Sequence, residues 1–276
     1  MTNLDIAQNL ALAQNKMVLM VWEETTKYPY PVVVQDDKGR TLLIEDLFTD
    51  EYLSPLIWKN FVPVIVSENR YNDFYKEIKD KRKQSYIDKF NDDSIKIMDA
   101  NGIILNTSGF SENLTDITYL INTYALNTQF LTNELRGFKD KKDFYSAYYL
   151  ASKYLDFALY ANNRIRSEII EVSDIYLKEA INLIDSNTQE ENAILMQRAS
   201  LLDIQKFLIL EKPKKVLRQL KRMNAESIDN NNKPLVSFLY FTAYSILKDQ
   251  KEAAVWKDDV SVVNLRKAQM IINLNN

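Results

Sequence analysis

The chain has 276 residues, 46% of them hydrophobic and 26% charged, enough for two modest cores. Its 35 Lys and Arg against 38 Asp and Glu leave a net charge of −3, too weak a field to gather polyanions, so nucleic acid is not an expected partner. Neither cysteine nor histidine occurs, which excludes disulfides, thiolate nucleophiles, Ser-His-Asp and Cys-His catalysis and most zinc chemistry.

What survives is carboxylate, lysine or tyrosine chemistry, or binding without catalysis. No stretch reaches the roughly 20 apolar residues of a transmembrane helix. The start, Met1 to Asp5, has no basic segment followed by an apolar core. The expectation is a mature chain of the periplasm or cell envelope whose leader has been removed, with a cytoplasmic protein as the alternative.

Residues 4 to 16 carry Leu4, Ala7, Leu10, Ala11 and Leu12 at helical spacing and predict an amphipathic helix. Met17 to Trp22 is a continuous apolar run of strand length, as in a strand buried on both faces. Val32 to Val34 and Thr41 to Ile44 flank Asp36-Asp37-Lys38-Gly39 and predict a β-hairpin. Phe48 to Asn60 follows as a helix, Phe61 to Val66 as a second central strand, and Asn69 to Asp88 as one charged helix. Ser94 to Met98 and Gly102 to Leu105, joined by Asp99-Ala100-Asn101-Gly102, predict a second hairpin of edge strands. Leu114 to Phe130 closes this half as a helix.

From about Lys139 strand signals stop and glycine disappears, which divides a domain of residues 1–136 from one of residues 137–276. Six helical segments follow: Phe144 to Ala161, Ile165 to Ile184, Glu190 to Leu210, Pro213 to Met223, Pro234 to Lys248, and Glu252 to Ile272 with an interruption near Asp258-Asp259. Pro213 and Pro234 stand where proline suits a first turn. The pairing of helices suggests a short solenoid of helical hairpins.

The order of elements in residues 4 to 130, with Asn60-Phe61-Val62-Pro63-Val64 leading into the second central strand, resembles the thioredoxin-like superfamily of bacterial proteins. The resemblance implies one sheet with Val18 to Trp22 and Phe61 to Val66 adjacent and parallel at its centre. Where the family carries Cys-x-x-Cys, this chain reads Glu23-Glu24-Thr25-Thr26-Lys27-Tyr28-Pro29-Tyr30-Pro31, and Asn91-Asp92-Asp93 stands in place of the usual cis-proline. The resemblance therefore implies the fold and argues against redox activity. The second half resembles tetratricopeptide-like repeats, with Ala147, Ala151, Ala158 and Ala161 where helices approach closely. The expected fold class is thus an α/β thioredoxin-like domain followed by an all-α, helical-hairpin domain.

Trp22, Glu23, Glu24, Tyr28 and Pro29 occupy the former active-site edge, where an aromatic patch and a buried Trp beside a Pro-stiffened loop are both open readings. Asp36-Asp37, Asp92-Asp93 and Asp258-Asp259 are turn-forming acids, without the spacing of a calcium loop. The basic runs Lys79 to Lys83, Lys212 to Lys215 and Lys221-Arg222 read as solvated faces. The scattered glycines form no phosphate-binding loop, and no cofactor or metal is expected.

Phe144 to Tyr160 is apolar around most of its circumference, so it is buried on several sides or meets a partner. Tyr145, Tyr148, Tyr149, Tyr240 and Tyr244 are the candidate partner-binding residues of a groove for an extended peptide or protein. The expected function is non-catalytic protein interaction. The alternative is an enzyme or chaperone-like protein using Glu23, Glu24 or a Tyr in the old cleft.

Overall fold

A computed structural model describes residues 1–108, 115–184, 188–223 and 227–275. The chain divides into two compact units, Met1–Lys139 and Asp140–Asn276: an α/β arrangement around a small mixed sheet, then an all-helical part.

In the first unit α1 (Leu4–Gln14) opens on Asn3, whose side-chain oxygen accepts from the Ile6 N–H at 3.0 Å. It ends where Asn15 enters the left-handed region at φ 56°, a conformation asparagine tolerates. The chain then runs into β1 (Met17–Trp22), all six residues of which are buried. β1 lies at the centre of a three-stranded sheet, parallel to β4 (Phe61–Val66) on one side and antiparallel to β5 (Lys96–Met98) on the other. Its register with β4 runs from Met17 opposite Phe61 to Trp22 opposite Val66. A strand flanked on both edges and covered on both faces needs no polar alternation, hence its unbroken apolar sequence. On the outer side of β4, the Ile65 N–H donates to the Met1 carbonyl at 2.9 Å, and Pro63 has no N–H.

β2 (Val32–Gln35) and β3 (Thr41–Ile44) form a separate two-stranded antiparallel sheet. Asp36 organises its turn by accepting from the Lys38 and Arg40 N–H groups at 2.9 Å each, while Gly39 takes φ 76°. The hairpin is therefore as expected, but it lies outside the β1–β4 sheet, joined to later residues by an isolated bridge from Val33 to Asp116. The next helix is shorter than the span Phe48 to Asn60: Asp50 Oδ1 accepts from the Tyr52 and Leu53 N–H groups at 3.0 and 2.9 Å, and α2 (Leu53–Asn60) starts there, with Pro55 in its first turn.

The expected helix over Asn69 to Asp88 is two helices, α3 (Tyr71–Ile78) and α4 (Gln84–Asn91). Between them Lys79, Lys81, Arg82 and Lys83 would crowd like charges onto neighbouring helical positions, and Lys83 is extended at ψ 157°. The second hairpin reduces to β5 and a single bridge between Met98 and Ile104. The side chain of Asn106 supplies the missing rungs, accepting from the Ile97 N–H at 2.8 Å and donating to the Ile95 carbonyl at 3.0 Å. Leu114 lies outside the described residues. The helix expected from there to Phe130 is α5 (Ile117–Tyr124), capped by Asp116 accepting from the Tyr119 N–H at 2.9 Å. After a single 3₁₀ turn, α6 (Thr132–Asp140) closes the unit.

The second unit begins with α7 (Phe144–Tyr160), fixed by a capping box in which Asp143 accepts from the Ser146 N–H at 2.8 Å and Ser146 Oγ accepts from the Asp143 N–H at 3.1 Å. It packs along α8 (Asn163–Asn182), where small residues let the backbones close: Ser173 Oγ donates to the Ala151 carbonyl at 2.7 Å, and Tyr154 stacks on Tyr176 at 5.6 Å. α9 (Gln189–Ile209) packs on α10 (Pro213–Leu220), α11 (Lys233–Ile246) packs on α12 (Gln250–Lys257), and α13 (Val262–Leu274) rests on α11. Leu208, Val216, Phe238, Leu239, Ala243 and Ile271 sit in one shared core. Among the described residues no helix is long and apolar enough to cross a membrane.

Candidate functional site

At the end of β1, Trp22 is 3% exposed and its indole N–H donates to the Phe90 carbonyl at 2.9 Å. Its ring meets Phe90 edge-on at 5.2 Å and Tyr71 at 5.7 Å, so Trp22 belongs to a packed aromatic cluster and is unavailable as a surface patch. Glu23 and Glu24 stand exposed; the Glu24 N–H donates to Glu68 Oε1 at 2.8 Å, and the Glu24 carboxylate pairs with Lys27 at 2.5 Å. Tyr28 and Pro29 are exposed as well.

The buried charge of this unit lies elsewhere, where sequence reading saw only a turn. Lys96, on β5 and fully buried, donates to the Ser94 carbonyl at 2.9 Å and to the Asp92 carbonyl, and pairs with the Asp92 carboxylate at 3.1 Å. Lys89, 5% exposed, donates to Ser94 Oγ and lies 3.6 Å from the same carboxylate. Burial pushes the Lys96 ammonium below the usual lysine range, against the pull of Asp92. Burial alone would raise the Asp92 carboxyl; Lys96 and Lys89 outweigh it and hold that group below the usual carboxylate range. The two ammonium groups are held by Asp92 and Ser94, while the Asp92 carboxylate is 40% exposed, which suits a structural ion network at the edge of the core.

The five candidate tyrosines separate into two groups. On α7, Tyr148 is 6% exposed and lies beneath the Arg198 guanidinium, 5.6 Å from its ring centre, whereas Tyr145 and Tyr149 are about half exposed and stack on each other at 6.3 Å. On α11, Tyr244 is buried and stacks on Tyr240, which is partly open. Tyr148 and Tyr244 are thus core residues and drop out of an exposed groove: each fills space between helices.

Tyr240 leads to a site that no helical wheel of α11 alone reveals. Its ring lies flat against Trp256 of α12, with centroids 4.3 Å apart and planes 11° from parallel. This pair borders an open cleft of about 590 Å³, with Met223, Ile228, Pro234 and Val236 also against it. Lys221, Lys233 and Asp259 also line it. Burial, reinforced by Tyr244, raises the Tyr240 phenol above its ordinary value, so the ring carries its proton at neutral pH and donates or accepts as a neutral hydroxyl. Stacked aromatic walls with a few polar groups on the rim suit an apolar or aromatic side chain. Comparisons with protein-family models, curated proteins and solved structures found no match to this chain.

Proposed function

We propose that this chain is a non-catalytic interaction protein that holds an apolar or aromatic side chain of a partner peptide in the cleft between Tyr240 and Trp256. The observation that carries the reading is the stacked, partly exposed pair bordering a cavity of about 590 Å³. Aromatic anchors in a preformed cleft dominate the energetics of many interfaces, because the rings offer large area at low conformational cost. The first unit fits the role of a redox-inactive, thioredoxin-like scaffold: parallel β1 and β4, antiparallel β5, and no thiol anywhere in the chain. The successive helix pairs of the second unit are compatible with a divergent tetratricopeptide-like array. The exposure of Glu23 and Glu24 favours binding over carboxylate catalysis in the old cleft.

The test is selection of a displayed random-peptide library on the intact protein. The expected result is enrichment of peptides bearing Phe, Trp, Tyr or Leu whose binding falls at least tenfold in Trp256→Ala. No enrichment, or binding indifferent to Trp256→Ala, would remove the reading.

A further inference from the structure

Beside the cleft, residues 211 to 223 carry Lys212, Lys214, Lys215, Arg218, Lys221 and Arg222 against the single acid Glu211, in a chain whose net charge is −3. Three of these, Lys214, Arg218 and Lys221, follow one another at helical spacing and share one exposed face of α10 and the turn after it, with the buried Leu217 at its edge and Val216 and Leu220 on the far side. Among the described residues, none of the six cations lies within ion-pair distance of a carboxylate. Some lysines elsewhere in the chain are paired, Lys206 with Asp174 and Asp203, Lys267 with Asp156 and Lys96 with Asp92, but here six cations stand together within eleven residues. Shallow hollows beside Lys214 and Arg218 continue the surface, and Lys221 belongs both to this basic face and to the rim of the cleft.

We infer that the partner is an acidic peptide segment: an apolar or aromatic anchor in the Tyr240–Trp256 cleft, flanked on one side by Asp or Glu residues lying along Lys221, Arg218 and Lys214. The inference rests on the cleft reading above and adds the charge and direction of the ligand. Uncompensated like charges on one face raise the free energy of the unliganded surface, and a complementary segment relieves it. From Lys214 to Lys221 the helix rises about 10 Å, the reach of roughly three extended residues, so the acidic run is short. Asp259 also lines the cleft and repels acid near it, whereas Lys221 joins the cleft to the basic face, so the run leaves the cleft toward α10. A peptide is favoured over an anionic membrane or an RNA because the basic face ends in a cleft shaped for side chains, while the chain as a whole is acidic.

Fluorescence anisotropy on the full chain decides it, using labelled synthetic peptides with one Phe flanked, on either side, by three Glu, three Gln or three Lys. The expected result is at least ~10-fold tighter binding of the better Glu peptide than of its Gln counterpart at low salt, an advantage that shrinks as salt rises. The double variant Lys214→Gln, Arg218→Gln, which touches no residue lining the cleft, should cut that advantage at least threefold and leave the Gln peptide's affinity unchanged; its far-UV circular dichroism should match the parent, since both side chains are exposed. Equal binding of Glu and Gln peptides, both lost in Trp256→Ala, overturns the charge inference and leaves the cleft reading standing. Binding of none, or binding independent of Trp256, overturns both. Tighter binding of phosphatidylserine vesicles or poly(U) through the same cations overturns the peptide assignment.

Discussion

Tyr240 and Trp256 meet ring on ring, one from α11 and the other from α12, and each keeps part of its surface open to water. The pair is thus both a join between two helices and a wall of the cleft. Tyr240→Ala should cost about 0.5–1.5 kcal/mol of stability from the lost stack. It should also move the Trp256 contribution to fluorescence toward longer wavelength, read as a difference against Trp256→Phe in the same background. An unshifted difference spectrum would show that the rings are apart in solution.

Tyr86 is buried, and desolvation pushes its phenol up to about 12. Its hydroxyl oxygen accepts from the Ile104 N–H at 3.1 Å. Because the folded value lies above the unfolded one near 10, the unfolded chain releases this proton first as pH rises. The stability that Tyr86 contributes is present below pH 10 and lost between about 10 and 12, to the extent of about 2–3 kcal/mol. Tyr86→Phe should cost about 1–2 kcal/mol at pH 7, by orphaning the Ile104 N–H, and should flatten the alkaline fall. Urea unfolding at pH 7, 10 and 11 checks both expectations.

Asp92 serves two buried ammonium groups, Lys96 and Lys89. Asp92→Ala should therefore destabilise by about 1–3 kcal/mol, a figure reduced from that of a fully buried pair because the Asp92 side chain is 40% exposed. Lys96→Met should cost less, since Asp92 retains Lys89 and water. The folded Asp92 carboxyl is held low, so its contribution is present above pH 4 and disappears as pH falls through the folded value. Acid titration of Asp92→Ala should show a shallower loss of stability than the parent; an identical acid limb would contradict the ion network.

Two glycines should respond in opposite ways to alanine. Gly102 closes its turn at φ 88°, and an added Cβ would lie 2.7 Å from Gln8 Nε2; the flexible amide can move, but the backbone conformation cannot suit alanine. Gly102→Ala should destabilise by about 1–2 kcal/mol. Gly137 stands exposed inside α6 with nothing near its missing Cβ, so Gly137→Ala should stabilise by about 0.5–1 kcal/mol. Thermal melts of both variants give the comparison directly.

β1 was legible because an interior strand shows as an unbroken apolar run, and Asp36 to Gly39 carries its own turn chemistry; Phe61 to Val66, expected at the centre of the sheet, is parallel to β1 but forms its edge, because the β2–β3 hairpin makes a separate sheet. The break between α3 and α4 was harder to read: apolar residues continue through Phe74, Ile78, Tyr86 and Ile87, while the chain leaves the helix over the basic run Lys79 to Lys83. The truncated second hairpin depends on Asn106 substituting its side-chain amide for a strand, a long-range choice with no local signature. At the site, the spacing of Tyr240 and Tyr244 on one face of α11 was visible. Trp256 was missed because its meeting with Tyr240 comes from the packing of α12 on α11. Tyr148 looked like Tyr149 in sequence, but its ring is covered by Phe144, stacked on it at 5.6 Å, and by Arg198 on α9.

Pro63 and Met1 have a consequence for the protein's behaviour in concentrated solution. The outer border of β4 would otherwise present a row of amide donors to any passing extended chain. Pro63 has no donor to offer, and the Ile65 donor is already taken by the Met1 carbonyl at 2.9 Å. An incoming strand would find neither, so the sheet stops at β4 instead of recruiting a second molecule edge to edge. An open, flat and fully apolar border is the usual seed of β-aggregation; here a missing hydrogen and one borrowed carbonyl remove it.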